Sequence, residues 1–181
     1  MIELIGKYKS VLWFILTFLG TYIVLTFIYG WYLQNENSLV YYPDFITHHV
    51  AEQCNGLLNF IGYKANIEPH PDEAAMKLMV NGRFLARVVE GCNSISVIIL
   101  FLAFVISFFN GIKKTLLFII LGSISIYIIN IIRIVILTVA IYEYPEYTEI
   151  LHSIVFPGII YGFVFLLWLY WIHQFNREKD G

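Results

Sequence analysis

The sequence predicts an all-α integral membrane protein, with about four transmembrane helices and an extracytoplasmic segment that contains an amphipathic helix and a β-hairpin. Three observations lead there. Of the 181 residues, 59% are hydrophobic and only 13% charged, a balance that soluble globular domains do not show. The apolar residues gather into four runs, at 11–33, 94–109, 115–141 and 153–172, and a helix needs about 20 such residues to cross a hydrocarbon core of roughly 30 Å. The basic residues that flank these runs all fall on one side.

The first run, Val11 to Leu33, follows Lys7 and Lys9. It is too long for the apolar region of a secretory signal, and "GWYLQNENS" offers no A-x-A-like cleavage site, so it is expected to stay as an anchor. The segment 34–93 comes next. In "PDFITHHVAEQCNGLLNFIGYKA", Phe45, Val50, Leu57, Phe60 and Ile61 recur at roughly helical spacing, which predicts an amphipathic helix lying on the membrane or capping the bundle. "PHP" then breaks the chain, and "MKLMVNGRFLARVV" forms two short alternating runs around Asn81-Gly82. That dipeptide is a strong hairpin signal, because both turn positions need positive φ.

The second run, Ser94 to Phe109, is short for a span. It is expected to begin earlier, near Val88, or to sit in locally thinned bilayer. The turn "NGIKK" carries Lys113 and Lys114 into the third run, Thr115 to Ile141, and "YEYPEYTEILH", without Lys or Arg, leads to the fourth, Ser153 to Ile172. Arg177 and Lys179 follow it. The positive-inside rule therefore places both termini and the "NGIKK" turn in the cytoplasm, and the segment 34–93 and "YEYPEYTEILH" outside a cell membrane.

A formal charge of -2 and no basic stripe interleaved with aromatics exclude a nucleic-acid partner. Two cysteines, Cys54 and Cys92, are too few for a disulfide scaffold and do not form C-x-x-C. His48, His49, Cys54 and His70 lack ligand spacing and a clustered carboxylate, so no metal is expected, and no cofactor is implied.

Three reactive side chains share one predicted depth. Cys92 opens the second span and His152 the fourth, while Arg133 lies about two turns before the outer end of the third. A guanidinium within a span costs several kcal/mol, from about 2.5 upward, so it is rarely kept without a partner or a purpose. Asn130 sits one turn earlier on the same face, and Tyr127 and Ser123 continue the stripe. At a helix N-terminus the free N–H groups favour a thiolate at Cys92, and a nearby guanidinium pushes the same way; Asn93 or Ser94 is placed to cap that helix. The same dipole keeps a neutral imidazole available at His152. A neutral base next to a thiol is the minimum for nucleophilic acyl transfer. Other readings stand beside this one. Arg133 also suits a headgroup anchor, and Cys92 suits a small buried hydrophobe or a disulfide with Cys54. A non-catalytic scaffold with a Cys54–Cys92 bridge, or a small transporter whose Ser123-Tyr127-Asn130-Arg133 stripe lines an anion path, would use the same residues differently.

With "EGCNS", "NIIR" and "LHSIVFPG" in this order across membrane helices, the sequence resembles the exosortase/archaeosortase family of integral-membrane cysteine transpeptidases, and most closely its short F-type branch. The resemblance covers about Glu90 to Gly158. It implies Cys92, Arg133 and His152 as catalytic residues, with Asn130 at the family's Asn-x-x-Arg position. It also implies, as partners, exported proteins carrying a C-terminal sorting signal, cut near the outer membrane face. Two features depart from the pattern. Asn93-Ser94 follow the cysteine where Ser-Gly is common, and about four spans stand where many relatives have more. The second suggests a minimal catalytic core guided by an accessory membrane protein. The amphipathic helix and the hairpin are candidate docking elements for the substrate tail.

Overall fold

A computed structural model of the chain describes residues 2–35 and 42–177. The side chains of Lys7 and Arg177, residue Lys179 and the stretch 36–41 of the expected outer segment lie outside the described residues. Four helices form the bundle. They are α1 (Ile2–Asn35), α3 (Ile95–Ser107), α4 (Ile112–Glu143) and α6 (Phe156–Arg177). A cap at one end is built from α2 (Phe45–Phe60) and a three-stranded antiparallel sheet, β1 (Ala65–Pro69), β2 (Ala75–Val80) and β3 (Arg83–Val89), in that order.

Among the described residues, three helical stretches are long and apolar enough to cross a membrane: Lys9–Asn35, Ile112–Glu143 and Pro145–Asn176. The second expected span, at 94–109, is shorter. α3 has 13 residues, which is about 20 Å at 1.5 Å per residue. It cannot begin near Val88, because Val88 and Val89 are paired in the β3 ladder and Glu90–Cys92 form a 3-10 turn. Asn93 and Ser94 then separate that turn from α3, with Ser94 at φ +67. The side chain of Asn93 starts the helix, its Oδ1 accepting from the Ile95 N–H at 3.0 Å.

The cap is not all helix. β2 and β3 pair across Asn81 (φ +50) and Gly82 (φ +76), the two left-handed residues that a tight hairpin of this twist requires. β1 adds on the far side of β2, with Ile67 opposite Leu78. Its sequence, "ANIEP", is too short to show a period. α2 starts at Asp44, whose carboxylate accepts from the Thr47 N–H at 2.9 Å. Its buried face is Thr47, Val50, Ala51, Cys54 and Leu58. Of the residues that mark the expected apolar face, Val50 is buried, whereas Phe45, Phe60 and Ile61 are exposed, because the sheet and α4 cover a stripe rotated from the one that the large apolar residues mark.

Two cores result. Val50, Ala51, Cys54 and Leu58 of α2 meet Met76, Leu78, Val80 and Val88 of the sheet and Ile131, Ile134 and Val135 of α4. In the bundle, Phe101 and Val105 of α3 pack with Ile126 of α4 and with Ile160, Val164 and Trp171 of α6. Gly122 lets α4 approach α3: a Cβ there would lie 2.3 Å from Cζ of the fully buried Phe101. α1 lies against α3 through Phe14, whose ring is 4.9 Å from that of Phe108, and otherwise exposes apolar side chains such as Phe27 and Trp13. That exposed surface suits lipid.

Candidate active site

A cavity of about 380 Å³ opens beside the cap core, between β3, the second half of α4 and the connection from α4 to α6. Cys92, Arg133 and His152 all line it. Three segments far apart in sequence thus bring together the thiol, the guanidinium and the imidazole that the sequence singled out.

Asn130 does not line the cavity. It is buried beneath it and makes two bonds. Its Nδ2 donates to the Cys92 carbonyl at 2.6 Å, and its Oδ1 accepts from Arg133 Nη1 at 3.3 Å. One amide therefore ties the main chain at the thiol to the guanidinium. Among the described residues no carboxylate forms an ion pair with Arg133, and its Nε is buried without a hydrogen-bond partner. A cation held this way has unused donor capacity beside a cavity.

Asn93, the residue after the thiol, is fully buried. Besides starting α3, its Nδ2 donates to Tyr29 Oη at 2.7 Å and Thr47 Oγ1 at 3.1 Å. It joins α1, α2 and α3 directly behind Cys92, a role the sequence showed only in part, as a helix cap.

His152 does not open a helix. Helical structure begins at Pro145, with a 3-10 turn Pro145–Tyr147, the single turn α5 (Thr148–Ile150) and a π-turn Leu151–Val155 that holds His152 and leads into α6. Proline is tolerated in a first turn, so Pro145 starts the helix. Pro157 accounts for the π-turn. It has no N–H for the Ser153 carbonyl and its ring crowds that carbonyl, and a widened turn accommodates both. The free N–H groups of the helix start therefore lie before His152 rather than at it.

Cys54 and Cys92 are both free, so the bridge of the scaffold reading is not formed. They are neighbours all the same, since Cys92 packs against the cluster that contains Cys54. Burial pushes the Cys54 thiol up to about 12, and charge on Cys92 acts in the same direction. That thiol is a core residue.

Other expected polar residues go elsewhere. Tyr127 donates from Oη to Gln53 of α2 at 3.0 Å, so this member of the stripe attaches the cap to the bundle. His48 and His49 both lie within ion-pair distance of Glu52, at 3.5 and 3.0 Å. Among the described residues no group of three or more metal-ligating side chains is found. His70 does line the cavity, from the loop after β1; only the sheet brings it there, so its local sequence held no signal.

Helices long and apolar enough to cross a membrane, with a thiol, an imidazole and a guanidinium at one cavity, define a membrane protein with a candidate active site. Residues 6–172 match the model of the transmembrane exosortase family. The chain belongs to that family. No curated protein and no solved structure matches it.

Proposed function

We propose that this exosortase, a member of the short F-type branch, is a cysteine transpeptidase or protease of the cell membrane. It cleaves C-terminal sorting signals of exported proteins at the extracytoplasmic face, through a thioester on Cys92. One observation carries the reading: Cys92, Arg133 and His152 line a single cavity. Family membership supports transpeptidase-type chemistry on exported substrates.

His152 takes the thiol proton, and Cys92 Sγ attacks the substrate's peptide carbonyl. The S–C bond forms as the carbonyl electron pair moves onto oxygen. Collapse of this intermediate breaks the C–N bond, and His152 returns the proton to the leaving amine. The thioester then passes to an amine, in transpeptidation, or to water, in proteolysis. Arg133 stabilises first the thiolate and then the oxyanion, a contribution worth about 10²- to 10³-fold in rate for a donor in a partly dry site. Asn130 is a positioning residue, because its two bonds fix Arg133 relative to the Cys92 main chain.

The test is the rate at which iodoacetamide alkylates Cys92 in the purified, detergent-solubilised protein. Cys92 should label and Cys54 should not, with about tenfold or greater slowing in Arg133→Ala and His152→Ala. In cells, Arg133→Lys should process substrate as poorly as Arg133→Ala, since an ammonium cannot keep the bond to Asn130 and still present a planar fork. Full processing by the lysine variant would reduce Arg133 to a membrane anchor. No labelling until a reductant releases both thiols together would establish the scaffold instead.

A further inference from the structure

β3 is an edge strand, hydrogen-bonded to β2 alone. Successive side chains of a strand point to opposite faces. The register puts Ala86 and Val88 opposite the buried Leu78 and Met76, on the core side, and Phe84 and Arg87 opposite Met79 and Lys77, on the other. Yet every residue from Phe84 to Val88 lines the cavity. A cavity that touches both faces of one strand lies along its free edge.

The opposite wall is one face of α4, since Arg133, Ile134, Leu137, Thr138 and Ile141 recur at spacings of one, three and four. Among the described residues, no group outside the sheet hydrogen-bonds the main chain of Phe84 to Val88. The register shift between Leu78 and Met79 leaves Leu85 as an extra residue in β3, and such a bulge bends and re-aims a strand. β3 then runs through one 3-10 turn to Cys92. The structure therefore presents an open row of backbone donors and acceptors that faces the cavity and ends at the thiol.

We propose that this edge receives the substrate residues just upstream of the scissile bond as an added β-strand, parallel to β3. The inference rests on Cys92 being the nucleophile. The direction follows from geometry: β3 runs toward Cys92, and an upstream segment that delivers its carbonyl to Cys92 runs the same way. At about 3.3 Å per residue the edge holds four or five residues. Main-chain bonds supply the affinity and the register, so recognition tolerates varied side chains upstream of the cut.

Peptide chloromethyl ketones test this on the wild-type, full-length protein. Cys92 Sγ displaces chloride from the probe, forming an S–C bond as C–Cl breaks, and the thiol proton passes to His152 or solvent. The probes are acetyl-Ala and acetyl-Ala-Ala-Ala-Ala chloromethyl ketones, and the four singly N-methylated forms of the longer one, with iodoacetamide as reference. The longer probe should alkylate Cys92 about tenfold faster than the short one. In parallel pairing alternate residues bond the neighbour, so N-methylation should abolish that gain at every second position and leave it within about twofold between them. Equal rates for the two lengths would overturn the proposal, as would a gain indifferent to N-methylation or lost at all four positions. If iodoacetamide also fails to label Cys92, the cysteine chemistry itself is wrong and this inference falls with it. Normal iodoacetamide labelling with no length effect removes the strand site alone.

Discussion

Cys92, Arg133 and His152 stand out in the sequence because reactive side chains are scarce in an apolar chain, and each carries a physical cost or a chemistry that asks for a reason. Asn130 was visible as their neighbour on a helix, but its bond to the Cys92 carbonyl was not, since that pairing joins residues 38 positions apart. Cys54 shows the same boundary. Its sequence context left a bridge to Cys92 open, and only packing shows it as a buried thiol pushed from its ordinary 9.0 up to about 12. The shift fixes the sign of a stability effect. Between those values the unfolded chain has lost this proton and the folded chain keeps it, so the folded state binds more protons and stability falls as pH rises. Cys54→Ala removes that dependence. Its thermal midpoint should lie below that of the wild type near pH 8, because a core side chain has been trimmed, and the gap should narrow by about pH 10.5. A gap that stays constant would mean the thiol is not held neutral by burial.

The elements were legible where a period or a turn dipeptide is strong. Asn81-Gly82 marked the β2–β3 turn, and the apolar runs marked the long helices. β1 was hidden because five residues hardly define an alternation, and the start of α3 was misplaced because an apolar strand feeding an apolar helix shows no break in hydropathy. The π-turn at His152 has a cause in the sequence, Pro157, four residues beyond Ser153, but a lone proline near a helix start does not by itself specify a widened turn. It also yields a prediction for the helix as a unit. Pro157→Ala restores an N–H to the Ser153 carbonyl and allows the turn to wind as α-helix, which rotates the preceding residues by about 100° relative to α6. His152 would then leave the cavity. Iodoacetamide labelling of Cys92 should slow in Pro157→Ala as far as in His152→Ala, with a thermal midpoint no lower than that of the wild type. Unchanged labelling would show that the π-turn does not aim the imidazole.

At the scale of the whole molecule, two cores are joined by polar contacts on one helix. The bundle core ends near Ile126, the cap core begins at Ile131, and Asn130 sits between them. Tyr63 and Asn81 of the cap bond Glu143 and Tyr142 at the end of α4, at 3.1 Å each. The cavity lies on the cap side of this seam, where apolar surroundings strengthen the field of a cation and an open strand edge can take a peptide. The opposite end of the bundle holds the Asn110–Lys114 turn. Phe14 in the first half of α1 and Phe175 near the end of α6 both meet Phe108 there, at 4.9 and 5.6 Å, so the start of α1 and the end of α6 lie on the side away from the cavity. By the positive-inside rule, Lys113 and Lys114 on that side predict that it faces the cytoplasm, which would put the cap and the thiol outside, where exported proteins arrive. Single reporters test the orientation in a Cys54→Ala, Cys92→Ala background. Lys64 and Lys113 are both exposed, one in the cap and one in the turn. A membrane-impermeant maleimide should label Lys64→Cys on intact spheroplasts, and Lys113→Cys only after the membrane is permeabilised. The reverse pattern would place the thiol in the cytoplasm. The chemistry at Cys92 would survive that result, but a role in cutting proteins already exported would not, because no substrate on the outer face could reach it.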